Sequence, residues 1–306
     1  MTNSTLERSI RKKGFQGKIQ RGVPMSEITS FRIGGPADLC LFPQDQQDLQ
    51  IVMALFRERG MPFLLLGNGT NLLVADKGIR EPLINLSHGW KELSKRGAKV
   101  IAGAGVGLPQ LLNFCAAHAL TGLEALAGIP GTVGGGIRMN AGSWGMEIGD
   151  HIVSLLVMDH AGETRQVTRE QVAVGYRGIN LPFDGIILQG EFSLHKGKKD
   201  EIQMRMTEAL RKKRETQPLA QPSAGSIFKN PPDMTAGQLI EEVGLKGTRR
   251  GDAMISPLHA NFIVNMGAAQ AQDVLALIEL IRQRIYKEKR IKLELEVLII
   301  GEQAMA

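Results

Sequence analysis

The sequence predicts a mixed α+β chain of more than one domain, and three observations carry that reading. Its 306 residues exceed one typical domain of roughly 100–200 residues. Amphipathic helices and short apolar strands succeed one another along it. Glycine supplies 36 of the 306 residues, well above the usual share of about 7%. So many glycines in a chain that is 43% hydrophobic and 22% charged point to a packed globule whose backbone often turns tightly or comes close to something.

Each element follows from its own signal. Leu49, Val52, Met53 and Phe56 lie at helical spacing between Asp45 and Arg59, with Gly60 as the stop. Met61–Gly67 is an apolar run expected to form a buried strand; Gly67-Asn-Gly-Thr-Asn71 is a turn, and Leu72–Val74 a second apolar run. Val100–Gly103 reads as a strand, and Pro109 opens a helix with Leu111, Leu112, Cys115 and Ala119 on one face. From Gly122 to Gly149 the chain is glycine-dense and nearly aperiodic, which inside a folded domain suggests a task. Ile152–Met158 and Glu163–Val167 flank Asp159-His-Ala-Gly162 as a hairpin, and Ile186–Leu194 is a further strand. Asp200–Arg214 is helical in composition and ends near Gln217-Pro218. Thr235 and Gln238 form a capping box before Leu239, Ile240 and Val243. Phe262–Asn265 is a strand, Val274 to Ile285 a helical stripe, and Leu293–Ile300 the closing strand, with Glu294 and Glu296 on its outer face. The expected division is a basic arm at 1–22, a lobe at 23–90, a second at 91–215 and a last domain at 216–306.

Charge and composition exclude several classes of function. The net +6 is concentrated in residues 1–22 and 196–214, and the rest of the chain is net negative. Neither cluster interleaves aromatics, so a nucleic-acid partner is not expected; a solvated arm and a solvated helix face account for them, or a positive field near an anionic ligand. Cys40 and Cys115 lack CxxC spacing, and the six histidines lack metal-ligand spacing, so neither a disulfide framework nor a metal site is expected. No apolar run approaches a membrane span or a signal peptide, which gives a cytoplasmic expectation with no membrane partner.

Two glycine stretches could carry chemistry. Gly67–Asn71 can converge backbone N–H groups on a phosphate, though an ordinary hairpin turn fits equally well. Ala127–Gly136 holds five glycines in ten residues and suits an extended diphosphate. GAGVGL at Gly103–Leu108 fails the Rossmann fingerprint because Leu108 stands at the third glycine, and no Walker A pattern occurs. Ser226 lacks a G-x-S-x-G frame and in isolation reads as a cap; Lys229 and Asn230 follow it. Tyr176-Arg177 and the carboxylates Glu294 and Glu296 are ordinary on their own.

Taken together, these segments closely resemble the UDP-N-acetylenolpyruvoylglucosamine reductase family. The resemblance rests on Ser30-Phe-Arg-Ile-Gly-Gly-Pro-Ala37, Leu66–Leu72, Gly128–Gly135 with Met139-Asn-Ala-Gly142, and Gly175-Tyr-Arg177. Ala224-Gly-Ser-Ile-Phe-Lys-Asn-Pro231, His259–Asn265 and Leu293-Glu-Leu-Glu-Val297 complete it, across residues 23–301. It implies a vanillyl-alcohol-oxidase/PCMH-type FAD-binding domain of two α/β lobes, at 23–90 and 91–215, and a C-terminal α/β substrate-binding lobe. It implies noncovalent FAD held by Gly67, Asn68, Gly69, Thr70, Asn71, Gly128, Ile129, Pro130, Gly131, Thr132, Gly134, Gly135, Asn140 and Gly142. NADPH is the implied hydride donor, and UDP-N-acetylglucosamine enolpyruvate the implied substrate, reduced to UDP-N-acetylmuramate for peptidoglycan precursors.

By the same resemblance Arg177 stabilises the carboxylate and developing enolate, Ser226 protonates C2, and Glu296 orients the site and proton relay. Tyr176, Lys229, Asn230 and His259 would face the substrate. Thr216 stands where some relatives have lysine, with Lys212 and Lys213 one turn earlier, so the cation on the UDP diphosphate stays open. The chain resembles the shorter branch, without the tyrosine lid, and is expected to be a monomer with an open site. An oxidase of the same flavin fold would have no reason to combine AGSIFKNP with LELEV, and a silent nucleotide-sugar binder would not need Arg177, Ser226 and Glu296 together.

Overall fold

The computed structural model describes residues 3–302. It forms two compact units whose chain segments interleave: Met1–Arg21, Leu39–Asn68 and Glu81–Arg211 in the first, Gly22–Asp38, Gly69–Arg80 and Lys212–Ala306 in the second. Residues 23–38 and 69–80, placed above in the first lobe, group here with the C-terminal segment.

In the first unit the basic arm is a docked helix, Asn3–Lys12, rather than a solvated tail. Leu6 and Ile10, four residues apart on one face, are buried with Leu49, Val52 and Phe56 of the helix Gln46–Glu58. Arg11 fastens the exit by donating to the carbonyls of Phe15 (3.0 Å) and Gly17 (2.8 Å). Asp45 caps Gln46–Glu58 by accepting from Asp48 N–H at 2.9 Å. Leu64–Leu66 and the end of Pro36–Phe42 both pair parallel with Leu83–Asn85, which forms Leu64↔Leu83 and Cys40↔Leu83 registers. Leu64–Leu66 is the edge strand, so Leu65 is 45% exposed and the run is not wholly buried as expected.

The rest of this unit is a five-stranded antiparallel sheet. Its order is Thr164–Thr168, Ile152–Asp159, Gly185–Ser193, Lys99–Gly103, Leu93–Arg96. The helices Leu108–Ala117 and Val133–Arg138 share its core, contributing Leu111, Leu112 and Ile137 against Leu155, Val157 and Phe192. Cys40 and Cys115 are buried free thiols, pushed up to about 11 and about 12 chiefly by burial, so they stay protonated and inert.

The second basic cluster is mostly an exposed helix face, with Arg205 paired and Lys213 buried as its two exceptions. Arg205 of the helix Lys199–Thr216 donates through Nε (3.1 Å) and Nη2 (2.9 Å) to Glu124, while Thr121 Oγ1 and Gly122 N–H donate to the same carboxylate at 2.6 and 2.7 Å. Lys213 is 3% exposed and does not belong to a solvated face. Burial pushes the Glu124 carboxyl up, but the Thr121, Gly122 and Arg205 donors outweigh it and leave its pKa below the ordinary value. A depressed carboxyl contributes stability above its unfolded pKa of about 4.3 and loses it as pH falls through the folded value. Acid unfolding of wild type and Glu124→Gln is therefore expected to differ above about pH 4.3, with wild type the more stable, and to converge in stronger acid. Parallel melting curves across that range would remove this ion pair from the stability of the unit.

In the second unit Leu72–Val74 runs parallel to Leu298–Ile300, in the register Leu72↔Leu298, Leu73↔Ile299, Val74↔Ile300. Arg249–Arg250, Ala253–Ile255 and Ile263–Asn265 form an antiparallel sheet. Val274, Leu277, Ile278, Ile281 and Ile285 of the helix Ala271–Lys289 bury the predicted stripe, in a core that also takes Phe31, Ile33 and Leu73. Asp76 accepts from the first N–H groups of that helix, Ala271 at 2.7 Å and Gln272 at 3.0 Å. The expected closing strand is regular only at Leu298–Ile300.

Candidate active site

The turn after Leu66 is not a hairpin. Leu64–Leu66 pairs with Leu83–Asn85 and Leu72–Val74 with Leu298–Ile300, so Gly67–Asn71 carries the chain from one sheet to another. Within the described residues, the backbone N–H groups of Gly67, Asn68, Gly69, Thr70 and Asn71 donate to no protein acceptor. Such a row of open donors is what an anion cradle offers.

The second glycine stretch meets the first. A Cβ on Gly67 would stand 2.6 Å from Thr132 Oγ1, so only glycine lets the two segments touch. Thr132 caps the short helix Val133–Arg138 by accepting from Gly135 N–H at 3.3 Å, and Gly134 packs so closely that a Cβ would lie 2.8 Å from that of Ala104. Gly128, Ile129, Pro130 and Gly131 form the approach to that cap, with Gly131 at φ +125° and its carbonyl accepting from Leu108 N–H.

The Asn140 side chain is engaged within the protein. It is 0% exposed and saturated: Oδ1 accepts from Gly149 N–H at 3.0 Å, and Nδ2 donates to Gly175 O at 2.9 Å and to Glu147. It ties the hairpin Gly142–Ser143/Met146–Glu147 to Gly175, the residue before Tyr176. Gly142 lends its carbonyl to Arg177 Nη1 at 3.3 Å.

Arg177 occupies the two-residue turn of the hairpin Ala173–Gly175/Gly178–Asn180, at φ +58°. The left-handed region costs a non-glycine residue roughly 1 kcal/mol or more, and the guanidinium is anchored by the Gly142 carbonyl. The guanidinium is half-buried, with its carbon 5.3 Å from the ring centre of Tyr176, which is 51% exposed.

In the second unit Ser226–Phe228 is held on both sides. Ser226 bridges to Phe262 and Phe228 to Leu295; Ile227 N–H donates to Asn261 O, and Ile227 O accepts from Glu296 N–H, both at 2.9 Å. Val297 N–H also reaches Ile227 O, at 3.4 Å, so residues 296–297 form a bend where alternation had suggested a straight strand. Glu296 is half-buried there, whereas Glu294 is exposed and pairs with Lys229 at 3.4 Å. The Ser226 hydroxyl caps no helix or turn among the described residues.

Sequence reasoning missed Asn261, which is 3% exposed and pairs with both backbone groups of Phe228, accepting from its N–H at 3.0 Å and donating to its carbonyl at 2.8 Å. Its only signal was its place in His259–Asn265. Asn230 caps the helix Ala236–Glu242 through Ala236 N–H at 3.0 Å. His259 accepts at Nδ1 from Asn261 N–H at 3.3 Å, which leaves the proton on Nε2 as a donor. Burial, opposed by its own backbone and aided by Lys246, holds its pKa below the ordinary histidine value, so the ring is neutral at pH 7.

Residues 37–168 match an FAD binding domain, and residues 217–300 match the C-terminal domain of UDP-N-acetylenolpyruvoylglucosamine reductase. The reductase of Syntrophus aciditrophicus (strain SB) is 44% identical over 283 residues, covering 91% of each chain. The chain belongs to the UDP-N-acetylenolpyruvoylglucosamine reductase family. The reductase of Clostridium novyi (strain NT) is 38% identical over 303 residues, covering 99% of this chain and 97% of its own. The crystal structure of the Thermus caldophilus reductase superposes with a TM-score of 0.79 at 38% identity, over 93% of this chain and 98% of that one.

As a member of this reductase family the chain is an FAD-dependent oxidoreductase with an α+β fold. Its residues fit the cofactor: the open N–H groups of Gly67–Asn71 and the glycine contact at Thr132 offer donors and backbone access to a diphosphate. Among the described residues no group of acidic, histidine or cysteine side chains could hold a metal ion, and no helix is long and apolar enough to cross a membrane.

Proposed function

We propose that the protein catalyses the NADPH-dependent reduction of the enolpyruvyl group of UDP-N-acetylglucosamine enolpyruvate to UDP-N-acetylmuramate, in the cytoplasmic synthesis of peptidoglycan precursors. Bound FAD supplies the two-electron transfer between NADPH and C3 of the enolpyruvyl group. The observation that carries the reading is the hydrogen-bonded frame around Ser226, in which the next residue, Ile227, accepts from Glu296 N–H.

Reduction at C3 builds charge at C2 and on the carboxylate, so the chain must provide a cation and a proton. Arg177 is the cation, a planar guanidinium able to meet a carboxylate with two parallel bonds. Ser226 gives its proton to C2, which a weakly acidic hydroxyl can do only to a strongly basic enolate-like carbon. Glu296 orients that proton relay. Tyr176, Lys229, Asn230 and the Nε2–H of His259 serve the rest of the substrate, and Gly67–Asn71 with Gly128–Gly135 the cofactor diphosphate.

An absorption spectrum of the purified protein tests this directly. Flavin bands are expected that bleach under anaerobic NADPH and return on adding UDP-N-acetylglucosamine enolpyruvate. Bands that return only with oxygen would make the protein an oxidase, and a colourless protein that FAD does not reconstitute would overturn the cofactor reading.

A further inference from the structure

Two hydrogen bonds hold the peptide groups of Glu296, one on each side. Its N–H donates to Ile227 O at 2.9 Å, and its carbonyl accepts from Asn71 Nδ2 at 3.0 Å. Asn71 also uses its own carbonyl, which accepts from Leu298 N–H at 3.0 Å and starts the parallel pairing of Leu72–Val74 with Leu298–Ile300. One side chain and one carbonyl of the same residue thus bracket the bend at 296–297 at both ends. The bend lies between the bridge of Leu295 to Phe228 and the strand that begins at Leu298, outside the paired residues on either side.

We propose that Asn71, rather than serving only the cofactor turn, is a positioning residue for Glu296, on the reading above that Glu296 serves the proton relay. The geometry runs in one line from Asn71 Nδ2 to Glu296 O, and from Glu296 N–H to Ile227 O, next to Ser226. Without the amide, the Glu296 carbonyl loses the Asn71 hydrogen bond and the peptide between 296 and 297 keeps only the 3.4 Å contact of Val297 N–H with Ile227 O, so the bend loosens and the carboxylate shifts relative to Ser226. A misplacement of about 1 Å at a catalytic group can cost about a hundredfold in rate. Aspartate at this position has the same shape as asparagine but presents an acceptor to a carbonyl, so it fails by chemistry and not by size.

The test is a double-mutant cycle on the FAD-loaded protein, reading anaerobic reoxidation of the reduced flavin by UDP-N-acetylglucosamine enolpyruvate, normalised to bound flavin. Asn71→Ala is expected to lower the limiting rate by about tenfold or more, with the substrate concentration for half-maximal rate little changed. In the Glu296→Ala background the same substitution is expected to have almost no effect, because the residue it acts through is gone. Asn71→Asp is expected to be at least as slow as Asn71→Ala. Equal slowing in both backgrounds, a loss confined to substrate affinity, or wild-type rates in Asn71→Asp would each overturn the proposal. Wild-type rates in Glu296→Ala alone would instead remove Glu296 from the mechanism and take the Asn71 proposal with it.

Discussion

Replacing Ser226 by alanine is expected to leave flavin reduction by NADPH within about twofold of wild type while slowing reoxidation by the enolpyruvyl substrate by about 10²–10⁴-fold, the usual worth of a positioned proton donor. The asymmetry follows from chemistry: only the second half-reaction needs a proton at carbon. The fold should tolerate the change, since among the described residues the Ser226 hydroxyl caps no element and the segment Ser226–Phe228 is held by backbone bonds to Asn261 and Glu296. Stopped-flow traces of the two half-reactions decide it, and equal losses in both would dismiss Ser226 as the donor.

Arg177→Lys is expected to lower the substrate half-reaction by about 10²–10³-fold, because an ammonium cannot reproduce two parallel bonds to a carboxylate as negative charge develops. Both residues bear the same penalty at φ +58°, so the thermal midpoint should barely move. Arg177→Gly separates the two effects. It should raise stability by about 1 kcal/mol through relief of the left-handed conformation while losing the substrate half-reaction altogether. Wild-type turnover in the lysine variant, or a lower midpoint in the glycine variant, would contradict the roles given to head group and backbone.

What was legible in the sequence was what neighbouring residues decide. The helices Gln46–Glu58 and Ala271–Lys289 declared themselves through apolar spacing, and the Thr235 capping box is present as expected, with Gln238 N–H on Thr235 Oγ1 at 3.2 Å. The fate of Gly67–Asn71 was not legible, because the pairing partner of Leu72–Val74 lies more than two hundred residues away at Leu298–Ile300. Alternation along Leu293–Ile300 concealed the bend at Glu296, where one carbonyl receives two N–H groups. The helix Val133–Arg138 was hidden by its three glycines, which local propensity disfavours, although Thr132 stood at its cap. Burial of Lys213 was invisible inside a run of basic residues.

The interleaving of the two units has a consequence for how the chain is made. Synthesis from the N-terminus delivers the last segment of the first unit at Arg211, so that unit can close while the ribosome is still at work. The segments Gly22–Asp38 and Gly69–Arg80 emerge early but belong to a core completed only by Lys212 onward. Leu72–Val74 must wait for Leu298–Ile300, a delay on the order of ten seconds or longer at about 5–20 residues per second. During that interval Phe31, Ile33 and Leu73 lack their partners in the nascent protein. A gene fragment spanning 217–300, though it matches a named domain, would therefore lack part of its own core and one strand of its own sheet.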